Sequence, residues 1–321
     1  LAGASDQLKE GASMVGIKRI KRIRHRSSVL VALVAGLALL LAACGGGNDN
    51  SSSGSSGGSS GVTDLGKQLP AAIQQSKQLK VGSDVAYAPV EFFKVGTQDV
   101  QGIDWDLAQA MGQKLGVTVS FANTTFDGII PALTAKRFDV IMSAMSDTPE
   151  RQKQVDFIDY FNAGTSILVK KGNPEGIQSL DDLCGKTIAL QKGTTQVDVA
   201  TGQQSKCQAA GKPKINVLTY DKDTDAQLQV RSGRAIADMN DFPVAAYAAQ
   251  TIGGGSDFEV VGEQIEAGPY GIGVRKDDTQ LRGALQSALK AIIADGTYDQ
   301  ILQKWNVTKG ALKTAAINGG Q

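Results

Sequence analysis

Phe126-Asp127-Gly128-Ile129-Ile130-Pro131-Ala132-Leu133-Thr134-Ala135-Lys136-Arg137-Phe138-Asp139-Val140-Ile141-Met142 holds a helix and then a strand. Phe126 to Ala135 reads as the helix, Lys136-Arg137 as the turn, and Phe138 to Met142 as an apolar strand. The same alternation lies upstream. Leu79-Lys80-Val81-Gly82 is strand-like, and Ile103, Leu107, Ala110, Met111 and Leu115 make the stripe of an amphipathic helix. Val117 to Phe121 then alternates as a strand does. Strand, helix, strand, helix, strand at this spacing implies parallel pairing through crossover helices, an α/β fold.

The pattern restarts further on. Lys186 to Leu190, Ile215 to Tyr220 and Ala235 to Met239 read as strands, with helices over Gly193 to Ala200 and Asp225 to Arg231 between them. Two α/β units of about 100 residues, an ordinary domain size, are therefore expected. The chain crosses between them near Asn162 to Ser166 and returns near Glu266 to Tyr270. The helices expected over Leu281 to Ala294 and Tyr298 to Trp305 then complete the first unit. The expected boundaries are residues 62–164 with 266–310 for the first lobe, 165–265 for the second, and 311–321 as a C-terminal tail.

The N-terminal part has a different character. Lys18, Arg19, Lys21, Arg22, Arg24 and Arg26 precede the apolar run from Val29 to Leu41, which is too short to span a bilayer comfortably. Leu41-Ala42-Ala43-Cys44 follows, then Gly45-Gly46-Gly47 and a Ser/Gly/Asn tract. This order resembles a bacterial lipoprotein signal, which implies export, cleavage before Cys44 and lipidation of that cysteine. Residues 1–43 thus read as a signal peptide with upstream residues, and 44–61 as a lipidated cysteine with a flexible Gly/Ser linker.

Composition excludes several classes of function. The 33 Lys and Arg against 32 Asp and Glu leave no basic surplus of the kind nucleic acid requires. The single histidine, His25, lies in the signal segment, so the folded part has neither a histidine base nor a histidine metal ligand. No metal and no cofactor is expected. With Cys44 assigned to lipid, Cys184 and Cys207 remain, and in an exported protein they read as a disulfide, two free buried thiols being the alternative.

Ligands of open parallel sheets collect beyond the carboxyl ends of the strands, which singles out three loops. Ser143-Ala144-Met145-Ser146-Asp147-Thr148-Pro149-Glu150-Arg151 follows the strand ending at Met142, with Thr148 as N-cap and Pro149 as first helical residue. Arg151 then stands in a first helical turn, where a cation opposes the helix dipole, and a bound carboxylate would account for it. An arginine merely decorating the surface is the other reading. In Gln191-Lys192-Gly193-Thr194-Thr195-Gln196 the N–H groups of Thr194 and Thr195 can seat an anion, or simply begin a helix; the second glycine and the Lys-Ser/Thr ending of a phosphate loop are missing. In Asn240-Asp241-Phe242-Pro243, Asp241 either pairs with an ammonium or caps the following helix.

Taken together, these stretches resemble the polar amino-acid family of ABC-transporter substrate-binding proteins (family 3). The resemblance rests on Gly82 to Phe92, Gly102 to Ala108, Phe126 to Leu133, Asp139 to Arg151 with Val155-Asp156-Phe157, Gly193 to Gln196, and Ala291 to Trp305. It implies a two-lobed periplasmic-binding-protein-like (type II) fold, hinged by two crossover strands. It further implies that Arg151 and the N–H groups of Ser146 and Thr195 hold an α-carboxylate, beside Ser143 and Thr194. Asp241, the carbonyl of Ala144 and the hydroxyl of Ser146 would hold the α-ammonium, with Tyr87 and Phe126 sandwiching the side chain. Asp84, Gln191 and Asn240 would set selectivity. One carboxylate with two amides disfavours an acidic side chain and suits glutamine or arginine.

The partners implied are a free L-amino acid, ABC permease subunits with a cytoplasmic ATPase, and the membrane through lipid on Cys44. The chain is expected to be a monomer on the extracytoplasmic face of the cell membrane, and not an enzyme. The competing readings are an exported dehydratase-like enzyme of the same fold and a ligand-sensing lipoprotein.

Overall fold

The computed structural model describes residues 64–320. The expected signal peptide, Cys44 and the linker lie outside the described residues. The first half of the described chain contains α1 (Ala71–Ser76), β1 (Gln78–Ser83), β2 (Ala86–Tyr87), β3 (Glu91–Phe93), β4 (Val100–Gln101), α2 (Ile103–Leu115), β5 (Thr118–Asn123), α3 (Ile129–Thr134), β6 (Val140–Ile141), α4 (Pro149–Gln152) and β7 (Val155–Lys170). The second contains β8 (Thr187–Gln191), α5 (Thr195–Ala209), β9 (Asn216–Tyr220), α6 (Asp223–Ser232), β10 (Ala237–Asp241), α7 (Phe242–Thr251), β11 (Phe258–Arg275), α8 (Thr279–Ala294) and α9 (Thr297–Lys304).

Eight strands are hydrogen-bonded in the order β5-β1-β6-β11-β7-β10-β8-β9. Both outer triplets contain the parallel pairing that βαβ units require: β5, β1 and β6 in one lobe, β10, β8 and β9 in the other. Between them β7 and β11, of 16 and 18 residues, run antiparallel and pass from one lobe to the other. The sheet is therefore mixed, and the two long strands are the hinge. Their register shifts between Val261 and Ile265 and again before Gly268, and Glu266 sits at φ 46°. The ladder is broken where the chain crosses, which is where a hinge can absorb backbone rotation.

Each lobe buries apolar side chains on both faces of its part of the sheet. In the first, Leu107, Met111, Leu285 and Leu289 pack on one face and Ile129, Leu133, Phe138 and Phe157 on the other. In the second, Ile188, Leu190 and Ala200 form one layer and Leu168, Ala226, Val230 and Phe258 the opposite one. Cys184 and Cys207 are bonded, with Cα atoms 5.6 Å apart, and fasten α5 to the turn before β8.

Several boundaries differ from the sequence reading. The strand expected over Phe138 to Met142 is reduced to Val140–Ile141, and the Phe138 ring packs over Gly82. A Cβ on Gly82 would stand 2.3 Å from that ring, so the glycine makes the packing possible. The helix expected over Phe126 to Ala135 starts as one 3₁₀ turn, Phe126–Gly128, before α3. β10 runs two residues further than expected, to Asp241, and this extension matters at the site.

Candidate functional site

The loops named above meet in one narrow cleft between the lobes, with about 20 Å³ of free space. From the first lobe come Asp84 just after β1, Tyr87 in β2, Phe126 at the 3₁₀ turn, and Ser143, Ala144, Ser146 and Arg151 around α4. From the second come Gln191 at the end of β8, Thr194 and Thr195 at the start of α5, and Asp241 at the end of β10.

α4 is a single turn built as expected: the Thr148 hydroxyl accepts from the Arg151 N–H at 3.3 Å, with Pro149 at the first position. Such a cap orients Arg151 into the cleft. Its guanidinium lies 5.3 Å from the centre of the Phe126 ring and donates to the carbonyls of Ser146 (2.9 Å) and Gly193 (3.0 Å). Two carbonyls do not balance a buried cation, and burial alone lowers its pKa. Opposite, Thr194 uses its hydroxyl to donate to the carbonyl of Gln191 at 2.8 Å and does not cap α5, leaving the first N–H groups of that helix for an anion.

Asp241 stands at the N-cap of α7 but makes no side-chain capping bond. Its carboxylate instead accepts from the Tyr87 hydroxyl and from Gln196 Nε2, each at 3.0 Å. Burial pushes its pKa up to about 6 against the pull of those donors. Asp84 accepts from Gln191 Nε2 at 2.6 Å, and burial pushes its pKa to about 6 as well. These bonds join the lobes, as does an ion pair between Lys192 and Asp127 at 3.0 Å, so the lobes are closed on the cleft.

Asn240 does not join the group. Alternation along β10 puts it on the face opposite Asp241, where Nδ2 donates to Asp238 at 2.9 Å and to both oxygens of Asp223. It lies outside the cleft lining because the strand extends through the position read as a loop. Two residues to which the sequence reading gave no role do line the cleft: Glu91 and Gln196. Both stand inside matched motifs, Val90-Glu91-Phe92 and Gly193 to Gln196, which was their only visible signal. Glu91 accepts from the Ser143 hydroxyl at 2.9 Å, and that hydroxyl in turn accepts from the Asp84 N–H. Burial and the neighbouring Asp104 drive the Glu91 pKa well up.

The family model for bacterial extracellular solute-binding proteins, family 3, matches residues 79–308. The chain belongs to that family. It is 31% identical over 258 residues to an arginine-binding protein of Corynebacterium glutamicum, covering 80% of this chain and 83% of that one. Among solved structures it is similar to an ancestral arginine-binding protein bound to arginine, at 40% identity and a TM-score of 0.64, covering 71% of this chain and 98% of that one. A TM-score of 0.66 at 40% identity relates it to an ancestral amino-acid-binding protein described as a precursor of cyclohexadienyl dehydratase, covering 73% of this chain and 97% of that one. This solute-binding protein has the two-lobed type II fold, acts outside the cytoplasm and is not an enzyme. Among the described residues, no helix is long and apolar enough to cross a membrane.

Proposed function

We propose that this solute-binding protein captures a cationic or polar neutral L-amino acid, arginine first and glutamine second, and delivers it to an ABC permease from a lipid anchor on Cys44. The observation that carries the reading is the charge content of the cleft, which Arg151, Asp241 and Asp84 line together. Arg151, with the N–H groups of Ser146 and Thr195, suits an α-carboxylate. Asp241 suits an α-ammonium, aided by the Ala144 carbonyl and the Ser146 hydroxyl, and Tyr87 and Phe126 face the side chain between them. A zwitterion cancels Arg151 and Asp241, and Asp84 then remains, its charge favoured by the Gln191 amide, the Phe126 backbone and the nearby Lys222. A guanidinium or ammonium on the ligand adds a countercharge inside the cleft itself, and a carboxylate there would be repelled by Asp84. The relatives named for arginine support the same choice.

The test is calorimetry of protein unfolded, freed of carried-over ligand and refolded, titrated with each of the twenty amino acids. Arginine should bind most tightly, glutamine less so, and glutamate not detectably. Arg151→Ala should abolish binding, since it strands a buried carboxylate at a cost of several kcal/mol. Micromolar binding of glutamate without arginine or glutamine, or full affinity in the alanine variant, would overturn the assignment.

A further inference from the structure

The family match ends at residue 308, yet the chain beyond it folds back onto the ligand side of the first lobe. Within this lobe β7 has β11 on one edge, and on the other lies the tail, in antiparallel bridges between Phe161 and Ala311 and between Ile158 and Ile317. Asp159 N–H donates to the Ala316 carbonyl at 3.0 Å, and Asn318 exchanges bonds with the Phe157 backbone at 2.8 and 3.1 Å. The last residues then reach Asp147, the neighbour of Ser146. Gly320 N–H donates to Asp147 Oδ2 at 2.9 Å, and Gln152 Nε2 donates both to Asp147 Oδ1 (2.8 Å) and to the Gly320 carbonyl (3.1 Å).

Asp147 and Gln152 bracket α4. Asp147 is also pinned to the hinge, its N–H donating to the Pro269 carbonyl at 2.8 Å. The tail end therefore ties together the two ends of the segment that carries Ser146 and Arg151. The approach needs glycines: a Cβ on Gly320 would stand 1.8 Å from the Asp147 carbonyl oxygen, and one on Gly319 would stand 2.5 Å from Asp159 Oδ2.

We propose that residues 311–320 are a positioning strap for the carboxylate end of the cleft, with Gly320, Asp147 and Gln152 holding α4 so that Arg151 and the Ser146 N–H meet the ligand together. The strap touches no ligand. This rests on the reading of Arg151 as the carboxylate partner, and it extends that reading to a segment outside the family match.

Gly320→Val lifts the strap end without touching the core, truncation after Ala316 removes it, and exposed Lys313→Ala serves as control. For each variant, the affinity for L-arginine, the unfolding temperature without ligand, and amide hydrogen exchange are measured. Gly320→Val and the truncation should weaken arginine by about ten-fold, on the scale of a misplaced hydrogen bond or two. Exchange should speed up over residues 147–152 and 318–320 alone in Gly320→Val, and over residues 147–152 and at Phe157, which loses its Asn318 acceptor, in the truncation; Lys313→Ala should match the parent. Unchanged affinity with tail amides exchanging freely would overturn the proposal. So would faster exchange throughout the lobe, with affinity falling in step with unfolding temperature, since that is general stabilisation rather than positioning. If the parent chain fails to bind arginine, the ligand assignment falls; the exchange at residues 147–152 still decides whether the strap grips α4.

Discussion

Asp84 is the residue on which ligand choice turns. Its backbone N–H is tied to Ser143 and its carboxylate to Gln191, and in the proposed pose it is the carboxylate that faces the ligand side chain. Asp84→Asn keeps the shape and removes the charge. Arginine affinity should then fall by roughly 2–3 kcal/mol, on the order of a hundred-fold, while glutamine stays within a few-fold. Calorimetry with the two ligands reads the change, and an equal loss for both would mean that Asp84 acts through packing. The family resemblance singles it out in the sequence, as it does Arg151 and Asp241, which by themselves read equally as a surface arginine and a helix cap. The sequence reading ends the strand at Met239, whereas it runs to Asp241 and carries Asn240 to the face away from the cleft. The polarity of Asn240 is absorbed by a buried cluster with Asp223, which lies on another element and leaves no trace in the neighbouring sequence.

At the scale of elements, the helices were easiest to read where periodicity and stop signals agreed. α2 begins after Gly102 and ends at Gly116 in the left-handed conformation at φ 65°, with Asp104 and Asp106 in its first turn and Lys114 in its last. The short β2, β3 and β4 went unread because pieces of two or three residues carry no periodicity. The tail's docking was equally hidden, since backbone N–H groups and the missing side chains of two glycines make its contacts at the cleft end. α5 carries a second constraint, the bond from Cys207 to Cys184 across a sequence separation of 23 residues. A loop of that size contributes about 3 kcal/mol by restricting the unfolded chain. Replacing both cysteines with serine should lower the unfolding temperature by several degrees yet leave arginine affinity within about three-fold, because the N-terminus of α5 is held independently through Thr194 and Gln196. A scanning calorimeter and a binding titration on the same preparation check both halves.

Across the whole molecule, buried carboxyls set the response to pH. Burial raises Asp84 and Asp241 to about 6 and Asp104, Asp159 and Asp223 to about 7, and it drives Glu91 and Asp238 well up. Each of these takes up a proton more readily folded than unfolded, so its contribution is complete below the unfolded value near 4; for the five aspartates raised to about 6 or 7 it is lost as pH rises through those values. Asp156, Asp182 and Asp295 are lowered by hydrogen bonds and cationic neighbours, Asp295 to about 2, and their contribution is lost only in stronger acid. The ligand-free protein should therefore be most stable near pH 4–5, and its unfolding temperature should fall from pH 5 to pH 8. A bound cationic amino acid reverses the balance at two of these groups, since its ammonium and side-chain charge favour the ionised forms of Asp241 and Asp84. Arginine affinity should accordingly rise as pH climbs from 5 to 7 and then level off, and saturating arginine should flatten the decline in unfolding temperature. A ligand-free unfolding temperature that is level or rising between pH 5 and 8 would contradict the set of raised carboxyls. An arginine affinity that falls over pH 5 to 7 would remove Asp84 and Asp241 from the ligand's partners.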